Sequence, residues 1–187
     1  HPEWREVLAT YAESGMIEVD TCPATRGVTD VAALEALVDG AAAVLVASPS
    51  FLGCVEQVDA IASVAHAAGA LAVVAANPVL LGVMEAPGEL GADIVVGEGQ
   101  PLGNAMAFGG PGFGLFACLE KFIRQMPGRV VGRTTDVDGR PGFVLTMQTR
   151  EQHIRREKAT SNICSNHALN ALAAGVYLAS VGTVGLE

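Results

Sequence analysis

Ala41-Ala-Ala-Val-Leu-Val-Ala47, then Val55 to Ala68, then Ala70-Leu-Ala-Val-Val-Ala75: this succession decides the fold. The first and last runs are uncharged, continuous and of strand length, the pattern of strands covered on both faces. Between them Val55–Ala68 reads as a helix that Gly69 closes. Strand, helix and strand at such short intervals make a βαβ unit, and hence a mainly parallel sheet with flanking helices. Asn77-Pro78 breaks the second strand, and Gly91-Ala-Asp-Ile-Val-Val96 supplies a third.

Working outward, Pro2 to Ser14 reads as a helix with proline in its first turn and Leu8, Tyr11 and Ala12 on one side. Gly15 ends it, and Met16-Ile-Glu-Val-Asp20 alternates as a short strand. Thr29 or Asp30 caps a helix through Val38, with Val31, Leu34, Leu37 and Val38 at helical spacing. Beyond Gly97 the runs 97–103 and 109–114 are rich in turn residues, and Leu115–Leu119 resembles a strand. Glu120–Gln125 is a short helical turn. Gly128 to Met147 reads as a strand pair around Asp138-Gly139. That hairpin lies outside the βαβ rhythm, where it can reach over a neighbour.

Composition sets the limits. Half of the 187 residues are hydrophobic but only 5% are aromatic, so Ala, Val and Leu must build the core of one α/β domain. Residues 1–120 carry 15 acids and two bases, a balance of −13; residues 121–187 carry nine bases and five acids, a balance of +4. An acidic body repels nucleic acid, and the basic segment is too short and mixed to form a stripe for it. The four cysteines (Cys22, Cys54, Cys118, Cys164) form no CxxC pair, which leaves zinc and redox motifs unsupported and buried free thiols expected. The uncharged run Ala159–Leu186 is rich in Ala, Ser and Gly, with Leu169, Leu172 and Val176 on one face. It reads as a core helix rather than a membrane span.

The glycines at 109–114 invite a phosphate-loop reading, but no Gly-Lys-Ser/Thr follows and no long helix opens there, so tight strand entry is preferred. Glu98 and Glu151 have the chemistry of a carboxylate pair, with nothing in the spacing to join them. The densest polar segment is Arg150-Glu-Gln-His-Ile-Arg-Arg-Glu-Lys-Ala-Thr-Ser-Asn-Ile-Cys164. Glu151 and Arg155 are i,i+4 partners, which leaves Arg150, His153, Arg156 and Lys158 in excess. Lys158 is one of two lysines, and it lacks the rigid strand-end anchor that a Schiff-base lysine needs.

That segment, with Arg124-Gln-Met-Pro-Gly-Arg129, Gly142-Phe-Val-Leu-Thr146 and Gly97-Glu-Gly-Gln-Pro-Leu-Gly103, resembles glycine decarboxylase, the P protein of the glycine cleavage system. The likeness runs the length of the chain, and the form of 97–103 resembles subunit 1 of the two-subunit bacterial enzyme. The resemblance implies the large-domain fold of type I pyridoxal-phosphate enzymes, here a partial large domain truncated at both ends with the small domain missing. It implies glycine decarboxylation with transfer of the aminomethyl group to the lipoylated H protein, in the cytoplasm, beside a second subunit that carries the cofactor lysine. Counted back from Gly109-Gly-Pro-Gly112, the lysine position falls on Gln100, and Asn77 stands where the pattern often has an acid. Gln100 forms no aldimine, so the pyridoxal phosphate of the complex is expected on the partner, with no catalytic residue or metal in this chain. Arg150, His153, Arg156, Lys158, Thr160, Ser161 and Asn162 are expected to face that partner or the active-site approach. The rival readings are a self-sufficient pyridoxal-phosphate enzyme using Lys158, and a non-catalytic structural paralogue.

Overall fold

A computed structural model of the chain describes residues 1–126, 130–146, 152–159 and 167–187, with His153 described by its backbone alone. Arg150, Glu151, Thr160, Ser161, Asn162 and Cys164 therefore lie outside the described residues.

Helix α1 (Pro2–Glu13) begins as expected: the His1 side chain accepts from the Glu3 amide, and proline occupies the first turn. Residues 16–20 form no strand, since among the described residues they join no ladder. A two-residue hairpin follows, β1 (Ala24–Thr25) against β2 (Val28–Thr29), turned by Arg26-Gly27 with positive φ at both. Asp30 caps α2 (Val31–Leu37) by accepting from the Ala33 amide.

The predicted βαβ unit is present. β3 (Ala43–Ser48), α3 (Val58–Ala67), β4 (Leu71–Ala76) and β5 (Ile94–Glu98) build a sheet in which β3, β4 and β5 run parallel. β6 (Gly114–Cys118) joins its edge antiparallel, giving the order β3-β4-β5-β6. Helix α3 starts three residues later than the apolar pattern suggested, since Glu56 is buried and accepts from the Thr29 amide at 2.9 Å. The β7 (Val130–Thr135) and β8 (Pro141–Thr146) hairpin forms a separate two-stranded sheet. Helix α4 (Gln152–Arg155) runs into a 3₁₀ turn at Arg156–Lys158, and α5 (Ala168–Val181) follows.

The core lies on one side of the sheet. Leu34, Val38, Ile61, Ala62, Ala65, Ala70 and Ala72 pack together, with Val44 and Val46 of β3 against them. The alanines let α3 lie close to the sheet, so each larger side chain fills a space that its neighbours cannot close. Ile61 is 2% exposed; Ile61→Val is expected to lower stability by about 1 kcal/mol, measured by urea denaturation.

Two expectations about burial fail. β3 is covered on one face only, since Leu45 on the other is 49% exposed. Helix α5 is not a core helix: Leu169, Leu172 and Val176 are 78%, 64% and 59% exposed, and Ala174 is its one buried residue. Its spacing did define one face, but that face points outward. No helix among the described residues is long and apolar enough to cross a membrane.

Candidate functional site

In α/β sheets, ligands bind beyond the carboxyl ends of the parallel strands. Here those ends are Ser48 of β3, Asn77 just past β4, and Glu98 of β5. Between Ser48, the start of α3 and the segment 81–90 lies a cleft of about 460 Å³, walled by Val58, Leu81, Met84 and Leu90. The Ser48 hydroxyl accepts from the Glu56 amide at 3.3 Å, which fixes the rim. Asn77 is exposed, and its Oδ1 accepts from the Val79 amide at 3.0 Å, closing a turn on the strand end.

The loop after β5 is held by a polar network. Glu98 Oε1 accepts from the Gln100 amide at 2.9 Å, and the Gln100 side chain donates to the Asn104 carbonyl. Asn104 Nδ2 reaches the Asn170 carbonyl of α5 at 3.3 Å, and Asn170 Nδ2 donates to the Gly112 carbonyl at 3.2 Å. Two glycine-dependent contacts complete it. A Cβ on Gly112 would lie 2.8 Å from Glu98 Oε1, and one on Gly99 would enter the Phe113 ring. Within 109–114 only Gly112 is pressed in this way, since a Cβ on Gly109 or Gly114 would meet nothing within 4 Å.

Gln100 therefore stands at a strand end, where a cofactor lysine is useful, but its amide is engaged within its own loop. Neither lysine of the chain replaces it. Lys121 lies at the opposite end of the sheet, its Nζ 2.9 Å from Asp93 Oδ1. Lys158 is exposed at the end of a 3₁₀ turn, and Arg156 beside it is exposed with φ of 53°. Glu98 is occupied by the loop, while Glu151 lies outside the described residues.

The most strongly perturbed carboxylate was not singled out from sequence. Asp93 is 1% exposed, accepts from the Ala72 amide at 3.0 Å, and meets His66 Nε2 at 2.7 Å. Its Oδ1 lies 2.9 Å from the Lys121 Nζ, an ion pair. Burial pushes the carboxyl pKa up, but the Ala72 amide, His66 and Lys121 outweigh it and bring it to about 2. It sits before β5, at the amino end of the parallel strands, so it ties α3, β4, β5 and the 120–122 turn together rather than facing the cleft. The useful signal was the scarcity of lysine; nothing in the spacing joined Lys121 to residues 28 and 55 positions away.

Cys22, Cys54 and Cys118 are free and part-buried. Burial, with Asp30 and Glu56 nearby, pushes the Cys22 thiol upward, so it is kept protonated and is a poor nucleophile. No three His, Cys, Asp or Glu side chains among the described residues are grouped as a metal site.

The family profile described as glycine cleavage system P-protein matches residues 1–187. A protein of Carboxydothermus hydrogenoformans, named Probable glycine dehydrogenase (decarboxylating) subunit 1, is 57% identical over 188 residues. One of the same name from Bacillus pumilus is 56% identical. Each is matched over 100% of this chain and 42% of its own length, so the chain spans less than half of these relatives. The crystal structure titled glycine decarboxylase (P-protein) of the glycine cleavage system, in inhibitor-bound form, superposes with a TM-score of 0.86 at 48% identity. It is matched over 100% of this chain and 42% of that one. Apo cysteine desulfurase from Thermococcus onnurineus, at TM-score 0.56 and 22% identity over 97% of this chain and 43% of its own, shares the fold alone. The α/β architecture implied by the resemblance, a mostly parallel sheet with flanking helices, is thus the observed one, and the chain belongs to the glycine cleavage system P-protein family.

Proposed function

We propose that this chain is a partial large domain of subunit 1 of a two-subunit glycine dehydrogenase (decarboxylating), acting in the cytoplasm. In this reading the pair of subunits decarboxylates glycine and passes the aminomethyl group to the lipoylated H protein. The second subunit carries the pyridoxal phosphate.

The observation that carries the reading is the state of Gln100, a neutral amide at the strand end, bonded to the Asn104 carbonyl. Pyridoxal phosphate supplies an electron sink for the carbanion left by decarboxylation. The residues present do not fit its covalent attachment. Gln100 has no amine, and Asn77 offers a neutral oxygen, already bonded to Val79, where a pyridinium needs a carboxylate. The role left to this chain is to shape the wall of the site and to hold its partner. The charged residues Arg150, His153, Arg156 and Lys158, with Thr160, Ser161 and Asn162, are assigned to that approach or interface. Exposure of Arg156 and Lys158 agrees with this assignment.

Full-length subunit 1 mixed with pyridoxal phosphate is expected to show no aldimine absorption, and Lys158→Ala is expected to change nothing. Glycine–bicarbonate exchange is expected from the two subunits together and to fall to background with the second subunit alone. An aldimine band lost in Lys158→Ala would establish the self-sufficient enzyme instead. Equal exchange with and without subunit 1 would leave it a structural paralogue.

A further inference from the structure

We propose that Asn170 is a positioning residue for the reaction, holding the loop after β5 in the form that the site of the paired subunits needs; this rests on the two-subunit reading above. Asn170 lies in the first turn of α5 and grips the loop at two points. Its backbone carbonyl accepts from Asn104 Nδ2 at 3.3 Å, and its own Nδ2 donates to the Gly112 carbonyl at 3.2 Å. Asn104 and Gly112 are the two stems of one excursion of the chain, so a single helical residue spans its base. Each stem has a second hold. The Gln100 side chain donates to the Asn104 carbonyl, and Glu98 is packed so closely on Gly112 that a Cβ there would lie 2.8 Å from its Oε1. These ties are internal to the described chain, so they stand whatever further polypeptide packs around them.

Between the stems the backbone is strained. Ala107 and Phe108 have φ of 39° and 56°, and Gly109 follows at 99°. Successive non-glycine residues persist in the left-handed region where their surroundings over-determine them, and such places gather at active sites and ligand clamps. Among the described residues, the only hydrogen bond made by 105–111 is local, from the Gly109 amide to the Met106 carbonyl at 2.9 Å. The tip is therefore governed by its stems. The excursion leaves from the carboxyl end of β5, the edge at which α/β sheets take their ligands, and Gln100 is itself one of its holds. Loosening a stem lets the loop leave its strained form. A site whose competent form is only partly populated binds substrate more weakly by that fraction, yet turns over normally once filled. Asn170→Ala is thus expected to raise the glycine KM of the paired subunits about three- to tenfold, the factor that one ordinary hydrogen bond is worth, with kcat within about twofold. Asn170→Asp keeps the size and removes the donor, so it is expected to match Asn170→Ala; a role in packing alone would leave it like wild type.

The test uses full-length subunit 1 with the second subunit and the lipoylated H protein. It reads glycine–bicarbonate exchange, association of the two subunits and amide deuterium exchange. In both variants deuterium exchange at 104–112 is expected to rise and association to stay intact while KM climbs. Unchanged deuterium exchange at 104–112 would show that further polypeptide or the partner holds the loop, and would overturn the proposal. So would faster deuterium exchange with an unchanged KM, which would put the loop outside the site. A fall in kcat that tracks a lost folded fraction, at constant KM, would make Asn170 a structural residue and overturn its positioning role. Absence of glycine–bicarbonate exchange from the wild-type pair would remove the two-subunit reading, and the proposal with it. Should Asn170→Ala not fold, Asn104→Ala breaks the other tie from the opposite side and decides in its place.

Discussion

Asp93→Ala is expected to destabilise the protein by about 3–4 kcal/mol, more than any other single carboxylate truncation in the described chain. Removing one partner of a buried charge pair typically costs ~3–5 kcal/mol, and the lower part of that range applies because His66 and Lys121 are themselves 45% and 60% exposed. Water can take over their hydrogen bonds when the carboxylate is gone; it cannot reach the Ala72 amide as easily. That amide, bonded to Asp93 Oδ2 at 3.0 Å, would be left without its acceptor beneath α3. Asp93→Asn keeps an acceptor and the shape but loses the charge, and an intermediate loss of about 1–3 kcal/mol is expected. Urea denaturation of the full-length protein at neutral pH reads both. A loss below about 1 kcal/mol for Asp93→Ala would mean that the cluster is a surface ion pair.

Acid supplies an independent check. The Asp93 pKa falls from an ordinary 3.8 to about 2 on folding. The unfolded chain therefore binds its proton first as pH drops. The carboxylate contributes stability that is complete above its unfolded value and is lost as pH falls through about 2. The stability difference between wild type and Asp93→Asn should accordingly shrink between about pH 5 and pH 2. A difference that stays constant across that window would separate the Asp93 contribution from its charge.

Legibility in the sequence followed the range of the interaction. The βαβ unit and the Asp138-Gly139 turn were readable, and the cap of α2 was narrowed to Thr29 or Asp30, of which Asp30 is the one used. Met16–Asp20 alternates correctly yet is no strand, because a ladder needs a second strand that periodicity cannot supply. Leu169, Leu172 and Val176 define a helical face, but whether such a face points inward depends on what packs there. The Asp93 cluster gathers residues from α3, β4 and the 120–122 turn, and only the sheet order β4-β5-β6 brings them together. For the site, the position of Gln100 was readable from the motif around it. Its engagement with Asn104, and the tie from Asn104 through Asn170 to Gly112, required the fold.

Gly103→Val is expected to cost about 2–4 kcal/mol and to free α5 from the loop after β5. Two penalties coincide there. Gly103 has φ of +81°, where a β-branched residue is strained by about 1–2 kcal/mol, and its Cβ would lie 2.6 Å from the Tyr177 Cβ. Overpacking of that kind costs a further ~1–3 kcal/mol unless the helix moves. Movement is the easier response, because α5 buries only Ala174 and is otherwise tied by the Asn104–Asn170–Gly112 hydrogen bonds. The effect should thus be local, unlike that of Asp93→Ala. Amide exchange at 98–114 and 168–181 is expected to rise while exchange in β3, β4 and α3 stays unchanged. Gly15→Val separates backbone strain from the contact, since Gly15 shares a positive φ of 72° but has open space around it. It should cost only the conformational part, about 1–2 kcal/mol. Equal losses for the two variants would mean that Tyr177 does not hold the loop, and α5 would then owe its position to contacts elsewhere.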